Sequence, residues 1–341
     1  MAGSGTVRWG ILSTARISQE FIPGVVKSAT SDLVAVASRS PEHAAAYAAD
    51  NCIPVHFGSY EDLLASREIE CVYISLPNGL HAEWIRKSLQ AGKHVLCEKP
   101  LTATSEDARW LYAMAHSRGL VLSEAVMYRH HPQTRRLKEM VDAGEIGELR
   151  HLHASFHFRL SDRAGEIRLD PNLAGGALRD VGVYCVSLGN LLAGDAPEEV
   201  AGTHVTSGTG VDMRFYGTLT YASDFVTQFD CSMDTSTHVR ATVLGETGWI
   251  STPNPWYLDV GGPWLPAEPP MFLEIHRPSQ ETEVVGTTSV NAYLCEIDDF
   301  AVAVRGGDAF LVPPAETVRN LTTIERLLAS ARATPNGWKE T

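Results

Sequence analysis

Residues Val7-Arg8-Trp9-Gly10-Ile11-Leu12-Ser13-Thr14-Ala15-Arg16-Ile17-Ser18 decide how the rest of the chain is read. An apolar run of strand length, 7–12, stops in small and polar residues, and a helical pattern follows. A strand that turns sharply into a helix is the opening unit of a doubly wound sheet. The next apolar run, 33–37, reads Leu-Val-Ala-Val-Ala, apolar throughout as a strand buried on both faces must be. Runs at 71–74, 94–97 and 121–123 continue the series. The helices between them have readable ends. Ser40-Pro41-Glu42 supplies a cap, a proline at the first helical position and an early acid. Thr104-Ser105-Glu106-Asp107 resembles a capping box. Gly92, Gly119 and Gly144 each stand where a helix ends in a left-handed residue. Residues 1–125 are therefore expected to form one α/β domain on a doubly wound parallel sheet.

The period then changes. Residues 149–158 alternate strictly, with Leu152, Ala154, Phe156 and Phe158 on one side and His151, His153, Ser155 and His157 on the other. Period two marks a half-buried strand of an antiparallel sheet. Further strands are expected at 200–205, 213–221, 225–233 and 239–244, interrupted by one helix over 177–192. Residues 253–270 hold six prolines and two adjacent glycines, which predicts an irregular excursion. Helices return over 292–304 and 316–332. Residues 126–341 are thus expected to form a second, α+β domain with an open, mostly antiparallel sheet.

Composition narrows the function classes. The chain has 341 residues, and at ~150 residues per domain two domains are expected. Asp plus Glu number 41 against 28 Lys plus Arg, a net charge of −13. So acidic a surface repels phosphate backbones and anionic lipid, which argues against nucleic acid or membrane as the main partner. No basic-then-apolar leader opens the sequence, and no apolar run approaches the ~18 residues of a membrane span. The closest two of six cysteines, Cys52 and Cys71, are 19 positions apart. That spacing argues against a zinc knuckle or a dithiol motif and suits a reduced cytoplasm.

Five stretches carry chemistry. The turn Ser13-Thr14-Ala15-Arg16-Ile17-Ser18 occupies the place of a G-x-G-x-x-G phosphate loop with every glycine replaced by another residue. Ser13, Ala15 and Ser18 are small enough for backbone amides to approach a pyrophosphate; the alternative is a tight turn with no ligand. After the second strand, where an NAD site usually has an acid, the chain has Ser38-Arg39. A hydroxyl and a guanidinium suit a 2′-phosphate, so NADP is expected over NAD; the plainer reading of Arg39 is a solvated loop residue. Pro77-Asn78-Gly79-Leu80-His81 and Glu98-Lys99-Pro100 follow two later strands, and a Lys-Pro bond there can be cis. In the second half, Asp180 and Tyr184 lie four apart on one face of the helix that Gly175-Gly176 opens. A carboxylate and a phenol together suit a hydroxyl-rich substrate; the plainer reading is a capping acid and a half-buried tyrosine.

Together these segments, in this order and spacing, resemble the Gfo/Idh/MocA oxidoreductase family over residues 6–333. The look is closest to the dihydrodiol/xylose dehydrogenase and glucose-fructose oxidoreductase branch, which has Tyr four residues after the Asp. The resemblance implies a Rossmann domain, a C-terminal open sheet that forms a homodimer or homotetramer face, and last helices that pack back on the first domain. That sheet face makes an interface or a solvated surface the expected reading of His151, His153 and His157, and no metal site is expected. It implies Lys99 and Tyr184 as catalytic residues with Asp180 orienting the substrate. The cofactor set it implies is Ser13, Thr14, Ala15, Arg16, Ile17, Ser38, Arg39, Leu76, Pro77, Asn78, His81, Glu98, Lys99 and Arg129. Departures are the missing glycines, Arg179 where the branch often has Met, and the unassigned pair His130-His131 in Met127-Tyr128-Arg129-His130-His131-Pro132.

The expected activity is NADP-dependent hydride transfer between a nicotinamide and a sugar-like hydroxyl or carbonyl, of the aldose dehydrogenase type. A free phenol titrates near ~10, too high for a base at neutral pH, and a neighbouring ammonium favours the phenolate. Lys99 would tune Tyr184 and hydrogen-bond the reacting oxygen; which of the two exchanges the proton stays open. The alternatives are a ketoreductase or 3-dehydrogenase of a glycoside or nucleotide-linked sugar, and a non-catalytic NADP(H)-binding sensor. Substrate specificity is expected in 156–170 and 253–270.

Overall fold

The structure is a computed structural model that describes residues 5–161, 163–258 and 271–333. These residues cluster into two compact units. The first holds 5–131 and Val290–Thr317, the second 132–258, 271–289 and 318–333.

Along the first stretch run β1 (Val7–Leu12), α1 (Ser18–Lys27), β2 (Ser31–Ala37), α2 (Pro41–Asp50), β3 (Val55–Phe57) and α3 (Tyr60–Ala65). Then come β4 (Cys71–Ile74), α4 (His81–Gln90), β5 (His94–Glu98), α5 (Ser105–Ser117) and β6 (Leu122–Ala125). The strands form one parallel sheet in the order β3-β2-β1-β4-β5-β6. β4 and β6 are buried along their whole length, and β1 and β5 along nearly all of it, because helices cover both faces. The order reverses direction between β1 and β4, the point at which such sheets bind ligands. The sequence reading lacked β3, a three-residue edge strand with two exposed side chains, too short and too wet to show a period. Ser40 and Thr104 cap α2 and α5 through the N–H groups of His43 and Asp107.

The second stretch continues with α6 (Pro132–Asp142), β7 (Leu149–Arg159), α7 (Val183–Ala193), β8 (Glu199–Thr206), β9 (Asp212–Thr220) and β10 (Val226–Ser232). β11 (Asp234–Gly245), β12 (Trp249–Thr252), β13 (Phe272–His276) and β14 (Glu283–Gly286) complete it before α8 (Ala292–Val304), α9 (Pro314–Ser330) and β15 (Arg332–Ala333). Nine strands form a mixed sheet, β14-β13-β12-β11-β7-β10-β9-β8-β15. It is antiparallel except at β7–β10 and β8–β15. Parallel neighbours need a long crossover, which the chain between β7 and β10, with α7 in it, supplies. On β7, Leu152, Ala154 and Phe156 are buried, whereas His151, His153, Ser155 and His157 stay partly open. β11 begins five residues before the predicted strand, because Asp234-Thr235-Ser236-Thr237-His238 is polar throughout and pairs irregularly. From residue 259 on, the predicted proline-rich excursion lies outside the described residues.

The helix expected over 177–192 opens differently. Residues Leu178–Gly182 form a wide π-type turn, and the α-helix begins only at Val183. Such turns are frequent at functional sites. Within the first unit, α8 packs on α1, and Trp9 meets Phe300 at 5.1 Å between ring centroids. From residue 318 on, α9 belongs to the second unit, where Asn320 hydrogen-bonds Asn190 at 2.8 Å. The first unit runs on to 131 because Arg129 and His130 are held by Glu316 and Asp299 of its returning segment.

Candidate active site

At the end of β1 the chain turns through Ser13, whose φ is +118°. A side chain in that region costs about 1–3 kcal/mol, which is why the position usually holds glycine. The replacement of glycine has thus not removed the turn's geometry. Ser13 donates its N–H to Ala37 O at 3.1 Å. The N–H groups of Thr14, Ala15 and Ile17 make no hydrogen bond among the described residues, and α1 starts without a side-chain cap. Open amides at the head of a ten-residue helix suit an anion. Ser18 Oγ lies 2.8 Å from Ser75 Oγ and ties this turn to the end of β4.

Ser38 is buried at the end of β2, its Oγ accepting the Ser40 N–H at 3.3 Å, and Arg39 beside it is exposed. Tyr60, at the start of α3, joins this corner. Burial raises its phenol's pKa, while the charge of Arg39 and hydrogen bonding with Ser13 and Arg39 act against that. Sequence reasoning missed Tyr60, because an aromatic at a helix start reads as ordinary core.

Lys99 sits on a tightly held segment. The Lys99–Pro100 peptide is cis. Before it, the buried Glu98 carboxylate accepts from Tyr73 Oη and from the Lys99 N–H. After it, Leu101 donates its N–H to Glu124 at 3.0 Å, and Thr317 donates its hydroxyl to the other Glu124 oxygen at 3.0 Å. Burial raises Glu124's pKa to about 7 against those donors. His81, expected among the cofactor ligands, is fully buried. Its Nδ1 lies 2.9 Å from Pro100 O and its Nε2 2.7 Å from Leu76 O. Burial lowers its pKa, and a neutral imidazole has one N–H to share between those carbonyls. His81 therefore lies between the two loops and donates to the backbone of one of them at a time. Leu76 is buried, and Pro77 and Asn78 are half-buried where a short helical turn leads into α4.

Arg129, also expected at the cofactor, is buried and engaged by Glu316 through both guanidinium ends, with Phe310 at 6.0 Å. The unassigned His130 has its Nδ1 2.8 Å from Asp299 and its Nε2 3.9 Å from Glu296. Both residues fasten the 126–131 segment to the returning 290–317 segment, and His131 is buried.

In the second unit the structure brings Asp180 and Tyr184 onto one wide turn and the helix it feeds. Asp180 accepts from Arg168 Nε at 3.0 Å, and the same guanidinium reaches Glu166 at 3.2 Å and lies over Phe158. The Asp180 charge is the largest influence raising the Arg168 pKa. Tyr184 is buried beside Phe156 and Trp256, at 5.1 and 5.8 Å between ring centroids. Trp256 in turn donates to Ser155 O at 3.0 Å. Arg168 and Trp256 both fall inside the stretches expected to set specificity. Arg179 is half-buried, with Asp212 and Glu325 as counter-charges. Asp212, which no sequence pattern marked, caps the wide turn by accepting the Leu178 N–H at 2.6 Å. Among the described residues no three His, Cys, Asp or Glu side chains converge as metal ligands do, and no helix is long and apolar enough to cross a membrane.

A parallel sheet of this strand order, with open amides after its first strand, is the frame of a dinucleotide-binding domain. The chain belongs to the Gfo/Idh/MocA family. Residues 7–126 match the family described as oxidoreductases with an NAD-binding Rossmann fold, and 134–251 match its C-terminal domain. It is 37% identical to D-xylose 1-dehydrogenase (NADP+) 2 of Haloferax volcanii, over 95% of this chain and 97% of that one. It is 33% identical to human trans-1,2-dihydrobenzene-1,2-diol dehydrogenase, over 77% of each. Its fold is similar to that of a 3-ketoreductase from Actinomadura kijaniata in complex with NADP and TDP-benzene. The TM-score there is 0.86, with 28% identity over 96% of this chain and 99% of that one.

Proposed function

We propose that the chain is an NADP-dependent dehydrogenase that oxidises a sugar-like secondary alcohol or hemiacetal, or reduces the matching carbonyl. The observation that carries this reading is the Ser13–Ile17 turn, which keeps a glycine-type backbone and open amides although it lacks the glycines. Those amides would hold the pyrophosphate, Ser38 and Arg39 the 2′-phosphate, and Leu76, Pro77, Asn78 and Glu98 the nicotinamide side. When bound, the nicotinamide supplies the hydride acceptor or donor. Tyr184 exchanges the proton of the reacting oxygen, Lys99 donates a hydrogen bond to that oxygen, and Asp180 orients a neighbouring hydroxyl.

The near full-length likeness to D-xylose 1-dehydrogenase supports a free aldose oxidised at C1. The likeness to the 3-ketoreductase favours the second reading, a glycoside or nucleotide-linked sugar. A panel of free aldoses, C1-blocked glycosides and nucleotide-linked sugars, followed at 340 nm with NADP+ and with NADPH, separates them. The first reading predicts turnover of free aldoses only. Turnover of C1-blocked substrates alone would establish the second, and no turnover with any carbonyl or polyol would overturn both.

The sheet of the second unit presents a depression of about 910 Å³ lined by residues including His153, Tyr216, Thr218, Gln228 and Asp230. We infer that this face joins copies into a homodimer or homotetramer, which light scattering tests; a monomer across the working concentration range would reject it. The six free thiols fit a reducing compartment such as cytoplasm, and fractionation of native cells would show whether the chain is there.

A further inference from the structure

The element that carries Asp180 and Tyr184 is fixed from outside itself. Gly176 has a φ of +114°, and a Cβ built on it would stand 2.1 Å from Asp212 Oδ1. A Cβ on Gly175 would stand 2.3 Å from Arg168 O. The two glycines are thus squeezed between the first residue of β9 and the loop that holds Arg168. Asp212 is nine-tenths buried, and its Oδ2 accepts the Leu178 N–H at 2.6 Å. Gly176 gives its own N–H to Arg168 O at 2.9 Å. A wide turn has fewer internal bonds to fix it than an α-helix, so its first amides depend on such outside acceptors.

We propose that Asp212 is a positioning residue for the reaction: from the sheet, it fixes the turn on which Asp180 and Tyr184 ride. The inference rests on the reading that those two side chains serve the chemistry. Asp212 touches neither substrate nor cofactor in this scheme; it acts through backbone amides. A displacement of the proton-exchanging group by about 1 Å is worth on the order of 10²-fold in rate. Asp212→Asn keeps one acceptor but loses the charge that strengthens the bond to the Leu178 N–H, and Asp212→Ser loses the reach as well, whereas the cofactor turn in the first unit is untouched.

The test uses the full chain with Asp212→Asn, and with Asp212→Ser should the first variant not fold. Three quantities are read: NADPH affinity by its fluorescence, kcat on the best substrate, and hydrogen exchange of the amides of 177–184. The expected result is an NADPH Kd within twofold of the parent, kcat lowered about 10²-fold, and faster exchange confined to 177–184. Unchanged exchange in 177–184 would overturn the proposal, as would faster exchange with kcat intact. If the parent chain turned over no substrate, the functional reading would fail. The exchange measurement would still report whether Asp212 holds the turn.

Discussion

Arg39 is the residue on which cofactor choice turns. It is exposed beside the buried Ser38, and Tyr60 shares its corner. A charge-assisted contact to a 2′-phosphate is worth about 1.5–3 kcal/mol, roughly 10- to 150-fold in affinity. Arg39→Ala is therefore expected to weaken NADPH by that factor and leave NADH nearly unchanged, in parallel fluorescence titrations. Equal losses for both would show that Arg39 does not read the phosphate. Lys99 and Tyr184 make the second prediction at this scale. Lys99→Ala and Tyr184→Phe are each expected to slow single-turnover hydride transfer by at least ~10²-fold. Near-parental rates in both would remove them from the chemistry. What sequence could and could not supply is also clearest here. Lys99, Asp180 and Tyr184 were marked as candidates because each sits in a dense local pattern, Glu-Lys-Pro or Gly-Gly with an acid and a phenol, and their roles came from the family resemblance. Tyr60, Glu124, Asp212 and Trp256 were not, because each meets its partner across a distance in sequence that no local spacing records. His81 and Arg129 were expected among the cofactor ligands, as the family resemblance implies. Only the coordinates show that their polar atoms are taken by carbonyls of Leu76 and Pro100 and by Glu316.

At the scale of elements, the Lys99 segment is tied to β6 by Glu124, and this sets a pH dependence. Glu124 is wholly buried, and its pKa rises from 4.5 to about 7 on folding. A raised carboxylate stabilises the fold fully below its unfolded value, and that contribution is lost as pH rises through the folded value. Across pH 4.5 to about 7, a shift of this size corresponds to ~3 kcal/mol. Glu124→Gln keeps an acceptor for the Leu101 N–H and never ionises. It is expected to match the parent near pH 4.5 and to exceed it in Tm at pH 8. Thermal melts at both values check this; parallel curves for the two proteins would show that Glu124 does not titrate in that window. Most elements were legible in the sequence, and the reasons for the exceptions are physical. Five of the six strands of the parallel sheet declared themselves as apolar runs; β3, an exposed edge strand of three residues, did not. β12, β13, β14 and β15 were missed because they are short and lie beside or beyond the proline-rich stretch. The wide turn at Leu178–Gly182 was read as plain helix, because the bonding that distinguishes the two comes from Asp212 and the Arg168 carbonyl rather than from composition.

At the scale of the whole molecule, the first unit is assembled from two separated stretches. Within it, α8 lies on α1, Asp298 accepts from Ser28 and Thr30, and Arg305 pairs with Glu70. A fragment ending at residue 131 would leave Trp9 and the buried face of α1 open to water, at ~1.5–3 kcal/mol for each large side chain exposed. Such a fragment is expected to aggregate or bind a hydrophobic dye. Joining 290–317 to it through a flexible linker is expected to restore a cooperative melt. A soluble, cooperatively folded 1–131 fragment would show that the returning segment is dispensable.

The return of α8 also orders events during synthesis. The ribosome makes the strands of the parallel sheet first, yet the helix that seals one side of them emerges only after most of the second sheet has been made. Between those moments the nascent sheet has an unsealed flank while the intervening strands are still being made. That topology predicts a need for a chaperone while the second sheet is being made, falling away once residue 304 clears the exit tunnel.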